Sequence, residues 1–135
     1  MSVDVATVDA RLLAHPGAGK KFQPAWGWMC YWVGGKQFAA EYTVGPEHKP
    51  PYAGRHLLSL KCDPDRSLEL RAEYPDAVFP GFYSDKRTWI SVDLDADLPQ
   101  GLVFELCDRS YGLVFARLTK RLQREILDAA GAPGR

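Results

Sequence analysis

The spacing of apolar residues predicts a short helix at the start of the chain. Valine and leucine recur every three or four positions between residues 5 and 12, which is the period of an amphipathic helix. Ser2 or Asp4 is of a type that begins helices, and the Pro-Gly pair at 16–17 ends the pattern. We therefore expect a helix here, followed by a loop at 17–21.

A β-hairpin is predicted next. Residues Trp28–Val33 are rich in aromatic and branched side chains, and Lys36–Thr43 continue in an extended pattern. Between them, Gly34 and Gly35 can adopt positive φ, as a two-residue hairpin turn requires. The register of such a turn places Val33 opposite Lys36.

The rest of the chain alternates strands and helices. In order, the pattern predicts a proline-rich connection at 45–54, a strand at His56–Lys61 and a helix that begins at Asp63 and Pro64. A turn-rich segment at 79–85 and a strand at 88–94 follow. The chain then continues with a helix whose apolar stripe runs from Leu102 to Val114 and with a last helix capped by Thr119. This order lacks the repeated βαβ rhythm of a parallel sheet. It favours an antiparallel or mixed sheet with helices on one face.

The hairpin register also predicts which side chains share a face of the sheet. One face is apolar and should meet the helices; it holds Met29, Tyr31, Val33, Phe38, Ala40 and Tyr42. The opposite face then pairs Trp32 with Gln37 and Trp28 with Glu41. On the later strand Ile90, Val92 and Leu94 point inward, which turns Trp89 to the side of Ser91 and Asp93.

Three of the four tryptophans are thus expected on the less covered face of the sheet. Two interpretations are open. Loops, the chain end or a second subunit could cover these side chains, since tryptophan is usually largely buried. Alternatively, the tryptophans form an exposed platform for a partner protein or for unstacked nucleic-acid bases.

Composition narrows the class of protein. The chain has 135 residues, 46% of them hydrophobic and 25% charged, which is typical of one folded domain spanning 1–135. No run of about 18 apolar residues could cross a membrane. The first residues carry an early acid and do not resemble a secretory signal, so the cytoplasm is the expected compartment. Three widely separated cysteines fit reduced, buried thiols better than disulfides.

Charge is balanced overall but uneven along the chain. Seventeen basic residues match seventeen acidic ones, yet from Arg109 onward there are six basic and two acidic residues. A basic end on a neutral protein permits contact with an anionic polymer without requiring it.

The sequence contains no strong motif for catalysis or for the binding of a metal or cofactor. The three histidines, His15, His48 and His56, have no flanking nucleophile motif. A metal site from His48, His56 and Cys62 lacks a short ligand pair, and the acids at 93–97 lack the other elements of a calcium loop. The glycine-rich segment at 17–21 lacks the strand-loop-helix context of a phosphate loop. We predict no enzymatic activity, metal, cofactor or membrane association, and the sequence identifies no small-molecule substrate.

Five islands of sequence together resemble the MmcQ/YjbR family. They are YWVGGKQFA at 31–39, LKCDP at 60–64, the segment from Tyr74-Pro75 through Pro80-Gly81 to Trp89, the run from Leu98-Pro99 to DRSY at 108–111, and LTKRL at 118–122. The resemblance covers roughly residues 10 to 126. It implies an α+β fold of two layers, in which a curved antiparallel sheet packs against helices on one face, as in type III secretion chaperones. It also implies a DNA-binding role through a double-wing arrangement.

This chain departs from the family pattern in the third of these islands, between Pro80 and Trp89. Phe82, Tyr83, Asp85 and Thr88 stand where relatives commonly have tyrosine, histidine, asparagine and histidine. If the family site used those histidines, this chain has lost them. Trp32 likewise stands where relatives often have a lysine.

The first functional prediction is a small non-enzymatic binding protein that contacts DNA. The residues assigned to that contact are Lys61, Tyr83, Lys86, Arg87, Trp89, Arg117, Arg121 and Arg124, the last three on one face of a helix. The alternative is a protein-interaction or chaperone-like module, which could be homodimeric. It would use the surface formed by Trp28, Trp32 and Trp89. An uncharacterised enzyme is the weakest interpretation.

Overall fold

The computed structural model describes residues 3–131 as a sheet with four helices. The strands are β1 (Gly19–Gln23), β2 (Trp28–Val33), β3 (Lys36–Thr43), β4 (His56–Lys61), β5 (Val78–Pro80) and β6 (Trp89–Asp93). They form one six-stranded sheet in the order β1-β2-β3-β4-β6-β5, and every neighbouring pair is antiparallel. The predicted α+β fold with an antiparallel sheet is therefore confirmed. Two short edge strands, β1 and β5, lie where loop and turn were expected.

Four helices accompany the sheet. They are α1 (Val5–Leu13), α2 (Pro64–Glu73), α3 (Gln100–Phe115) and α4 (Lys120–Ala130). Thr119 caps α4 as predicted, because its hydroxyl accepts a hydrogen bond from the Leu122 amide at 3.1 Å. Asp4 occupies the cap position of α1, whereas Ser2 lies outside the described residues. No helix within residues 3–131 has the length and apolar character needed to cross a membrane.

The main core lies between the sheet and the helices. We call this side of the sheet the helix face; its buried residues include Leu12, Tyr31, Val33, Phe38, Leu58, Leu60, Ile90, Val92, Val103 and Leu106. As predicted, Ile90, Val92 and Leu94 point to this side. Helix α3 packs directly on β3 and β4, which places it over the middle of the sheet.

A β-bulge in β3 changes the predicted faces of the sheet. Val33 opposes Lys36 and Trp32 opposes Gln37, as the turn dictates, but Tyr31 pairs with Ala39, so the register shifts there by one residue. Phe38 is the extra residue, and a one-residue shift moves every later side chain to the other face.

Part of the predicted face assignment is therefore wrong. Ala40 and Tyr42 lie on the side opposite the helices, where Trp28 stacks on Tyr42 with ring centroids 4.1 Å apart. Glu41 pairs with Met29 and not with Trp28. We call this second side of the sheet the open face.

A buried serine anchors the bulge to the helix layer. The hydroxyl of Ser110 in α3 donates to the carbonyl of Phe38 at 2.5 Å and accepts from the amide of Lys61 at 2.8 Å. Ser110 is fully buried. Its two hydrogen bonds satisfy backbone groups at the bulge and at the end of β4 that would otherwise be buried without partners.

Candidate functional site: an aromatic cleft on the open face

A second apolar cluster covers the middle of the open face. Its buried members are Cys30, Ala40, Tyr42, Val44, Leu57, Phe79 and Phe82, with Trp28, Trp32 and Tyr52 half-buried around them. The segments between β3 and β4 and between β5 and β6 supply Tyr52 and Phe82. Loops therefore cover part of this face, which agrees with the first of the two interpretations of the tryptophans, that other parts of the chain cover them.

Phe82 is the centre of this cluster. Its ring lies 4.9 Å from Tyr52, 5.7 Å from Tyr42 and 6.5 Å from Trp28, measured between centroids. His48 approaches the same ring edge-on at 5.5 Å. These are the separations at which aromatic rings attract each other beyond simple burial. Phe82 thus fixes the loop between β5 and β6 onto the sheet.

Hydrogen bonds hold the same loop in place. The Phe82 amide donates to the Ser91 hydroxyl at 3.0 Å, and the Lys86 ammonium donates to the Gly81 carbonyl at 2.7 Å. Gly81 is required here, because a Cβ at this position would lie 2.4 Å from the hydroxyl of Ser84 and 2.8 Å from the Cβ of Trp89. The conformation of the loop is consequently well determined.

Beside this loop the open face forms a cavity of about 730 Å³. We call it the aromatic cleft; it is lined by Trp26, Trp28, Gln37, Ser59, Phe82, Tyr83, Ser84, Asp85 and Trp89. Five of these nine residues are aromatic. Of the nine, Asp85 is the one with a charged side chain. Two of the aromatic side chains, Trp26 and Tyr83, are 65% and 76% exposed and lie at the mouth of the cleft.

Tyr83 has an unusual backbone conformation. Its φ is +52°, and among the described residues it is the one non-glycine residue with positive φ. A bulky side chain seldom adopts this region, which costs about 1–2 kcal/mol. The strained backbone holds an exposed aromatic ring at the cleft.

The structure brings the three predicted tryptophans to the same face, but they do not play equal parts. Trp28 and Trp89 line the aromatic cleft, whereas Trp32 packs beside the cluster and does not line it. Sequence reasoning missed Trp26, which lies in the turn between β1 and β2 and meets Trp28 edge-on at 5.7 Å. No periodicity marks a turn residue, so only the doubled Trp-Gly-Trp sequence could have drawn attention to it.

The predicted DNA-contacting residues are divided between the two layers. Lys61 lies over the Trp89 ring with its ammonium 5.4 Å from the centroid, whereas the ammonium of Lys86 is directed to a backbone carbonyl within its own loop. Arg87 is exposed. The remaining three arginines lie at or near α4, whose apolar side joins the helix-face core through Leu122 and Ile126.

The prediction that these three arginines share one helix is wrong. Arg117 lies in the turn before Thr119, the cap residue of α4, so it is not on the helix that carries Arg121 and Arg124. The Thr119 cap starts a new helix after α3 has ended at Phe115. The guanidinium of Arg121 pairs with Glu125 at 3.2 Å.

The histidines lie in separate surroundings. His15 hydrogen-bonds Asp108 at 2.9 Å, His56 hydrogen-bonds Glu41 at 2.5 Å, and His48 packs against the rings at the cleft. Within residues 3–131 no group of three or more His, Cys, Asp or Glu side chains is placed to hold a metal ion.

The three cysteine thiols are buried. Burial raises the pKa of Cys62 to about 11 and that of Cys107 to about 12, and it also raises the pKa of Cys30. A thiol must lose its proton to act as a nucleophile. Burial therefore disfavours the thiolate form of all three cysteines.

Similarity to proteins of known sequence agrees with the predicted family. The chain is 34% identical over 73 residues to YbdF of Escherichia coli O157:H7, and 37% identical over 57 residues to YyaQ of Bacillus subtilis strain 168. These alignments cover 54% and 42% of this chain. They span about half the length of each relative, 59% of the first and 47% of the second.

Solved structures show the same fold. Protein DR2400 of Deinococcus radiodurans, described by the domain family DUF419, superposes with a TM-score of 0.77 at 28% identity. The match covers 93% of this chain and 88% of that one. A protein from Pseudomonas syringae matches with a TM-score of 0.66 over 82% of this chain and 98% of its own, and at 17% identity it shows the fold alone.

The family itself follows from a family model described as YjbR, which matches residues 13–113. That range includes the hairpin, the bulge, the loop that carries Phe82 and most of α3. The predicted resemblance is confirmed, and this chain belongs to the YjbR family.

Proposed function

We propose that this protein is a non-enzymatic binding protein whose aromatic cleft docks a segment of a partner protein. The observation that carries the proposal is the cavity itself: five aromatic side chains line it on the sheet face opposite the helices. Aromatic residues dominate protein recognition because each offers a large apolar area at a small cost in side-chain entropy.

The exposed rings at the mouth of the cleft indicate that these side chains bind a partner and do not only pack within the protein. Trp26 and Tyr83 expose most of their side chains, although burial of either ring would be favourable. Tyr83 also has a strained φ. Strain and exposure in one aromatic residue are typical of a surface formed for a ligand.

Charge favours a protein segment over nucleic acid as the occupant of the cleft. Phosphate contacts dominate nucleic-acid affinity and need several lysines or arginines together. The one charged residue that lines the cleft is Asp85. The predicted basic contacts are divided between the layers, and Lys86 and Arg121 have partners within the chain. Contact with DNA through these residues stays a prediction.

The chemistry of the remaining polar groups favours binding over catalysis. The pKa of each cysteine is raised, which leaves the thiols protonated at neutral pH. His15 and His56 hydrogen-bond carboxylates on the helix side of the molecule. His48, which lies beside the cleft, packs edge-on against the Phe82 and Tyr83 rings. Its Nε2 is 3.5 Å from a Glu47 carboxylate oxygen. None of these arrangements places a histidine as a base on a hydroxyl or thiol within residues 3–131.

Selection of short random peptides on the intact protein tests this function. Peptides that bind the cleft should lose at least tenfold in affinity when Trp26→Ala or Tyr83→Ala removes a ring at its mouth. Leu127→Ala is the matched control, since Leu127 is a half-exposed apolar residue on α4 in the other layer. It should leave peptide affinity unchanged.

The proposal is overturned if no selected peptide depends on the cleft residues. A parallel titration with duplex DNA decides the competing function. Binding that weakens steeply with salt and is reduced by Arg124→Gln, but not by Tyr83→Ala, would assign the protein to DNA instead.

A further inference from the structure

We infer that the aromatic cleft selects a positively charged alkylammonium group, such as a lysine side chain of the partner segment. The inference rests on the proposed docking function and specifies the chemistry of the docked group. It follows from the composition of the cleft lining, in which five aromatic side chains occur together with a single carboxylate.

The rings of the cleft provide the first part of such a site. Trp26 lies in the turn between β1 and β2, Trp28 in β2 and Trp89 in β6, and Tyr83 joins them from the loop between β5 and β6. The face of an aromatic ring is electron-rich, so several rings around one cavity attract a cation, most strongly when tryptophan contributes. Neutral apolar groups gain contact from the same rings but no electrostatic attraction.

Asp85 provides the second part. Its carboxylate lines the cavity, and one of its oxygens accepts the Arg87 amide at 2.8 Å, which fixes the side chain at the edge of the loop. The other oxygen makes no hydrogen bond among those found within residues 3–131. A carboxylate beside aromatic faces adds direct charge attraction for an ammonium group and repels a phosphate or a carboxylate.

Trp89 shows that a ring of the cleft already attracts a cation. The Lys61 ammonium lies 5.4 Å from its centroid, within the range of a cation–π contact. Lys61 does not line the cleft; it lines the neighbouring groove, where Asp63 pairs with Arg109 and Glu105 with Arg66. Among the residues that line the cleft itself, the charged side chain is that of Asp85.

A comparison of a cation with a neutral molecule that carries a similarly branched alkyl group tests the inference. The probes are tetramethylammonium and neopentane-like 3,3-dimethylbutanol, titrated separately into the intact protein while the four indole N–H signals are followed by NMR. Sodium chloride at equal concentration controls for ionic strength. Tetramethylammonium should shift the signals of Trp26, Trp28 and Trp89 and leave Trp32, which does not line the cleft, unchanged. It should bind at least fivefold more tightly than the alcohol.

Asp85→Asn is the variant that isolates charge. Asparagine keeps an oxygen that can accept the Arg87 amide, so the loop should keep its conformation. The variant should lower the affinity for tetramethylammonium at least threefold and leave the affinity for the alcohol unchanged. Equal binding of the two probes, or an unchanged response in Asp85→Asn, overturns the choice of a cation while the docking function stands. Absence of any shift in the three cleft indoles also overturns it, and peptide selection still decides docking independently.

Discussion

Replacement of Ser110 by alanine is the most informative test of how the sheet is built. The Ser110 hydroxyl bonds both the Phe38 carbonyl in the bulge and the Lys61 amide at the end of β4. Alanine removes the hydroxyl and leaves both backbone groups unpaired in a region where Ser110 is fully buried. The change deletes a single oxygen and creates almost no cavity, so its cost reports the two hydrogen bonds.

The magnitude follows from the number of groups left without partners. Each buried donor or acceptor that loses its partner costs about 1–3 kcal/mol, so the two groups together should make Ser110→Ala lower the free energy of unfolding by about 2–6 kcal/mol. Urea denaturation measures this directly. With a slope of about 1.5–2 kcal/mol/M, the unfolding midpoint should fall by about 1–4 M.

Ser67 supplies the matched control. It is also a fully buried helical serine, but its hydroxyl has no hydrogen-bond partner in the part of the chain that the structure describes. Removing an unpaired buried hydroxyl is neutral or favourable, so Ser67→Ala should stay within about 0.5 kcal/mol of the wild type or exceed it. Equal losses in Ser110→Ala and Ser67→Ala would refute the reasoning, because loss of hydrogen bonds could then not be the cause.

Three further predictions concern stability. Gly34→Ala should unfold at a lower urea concentration than Gly35→Ala. Both glycines have positive φ, but a Cβ at Gly34 would lie 2.7 Å from the side chain of Leu118, whereas a Cβ at Gly35 would meet no atom within 4 Å. Phe82→Ala should cost about 3–5 kcal/mol in the same assay, because it removes the central ring of the open-face cluster. The Arg109 guanidinium lowers the pKa of Asp63 below its ordinary 3.8, so this pair stabilises the fold above that pH and loses its contribution as the pH falls through the lowered value. Urea midpoints at pH 7 and pH 3 should therefore differ more in the wild type than in Arg109→Gln.

The hairpin turn and the face on which Trp28, Trp32 and Trp89 lie could be predicted because local patterns determine them. Two glycines between extended segments fix the turn and the first two pairs of the register, and both pairs are observed. Period-two alternation in β6 places Trp89 on the open face. These features depend on residues that are neighbours in sequence, which is why the sequence shows them.

The bulge and the cleft could not be predicted because distant residues determine them. The Phe38 carbonyl does not need a hydrogen bond from a neighbouring strand, because the hydroxyl of Ser110, 72 positions later, donates one to it. In the same way, the loop at the cleft is held by Phe82 among rings from β3 and from the connection after it. No local pattern encodes a partner so far along the chain.

The bulge links the helix layer to the aromatic cleft on the other side of the sheet. Without the extra residue, Tyr42 would face the helices, and Trp28 would lie beside Glu41, as the uninterrupted register predicts. With it, Tyr42 stacks on Trp28 and lies beside Phe82, so it supports two of the aromatic side chains that line the cleft. Because Ser110 holds the bulge from α3, a residue buried between that helix and the sheet determines which side chains form the proposed binding surface. A substitution there should alter cleft binding without touching any residue that lines it.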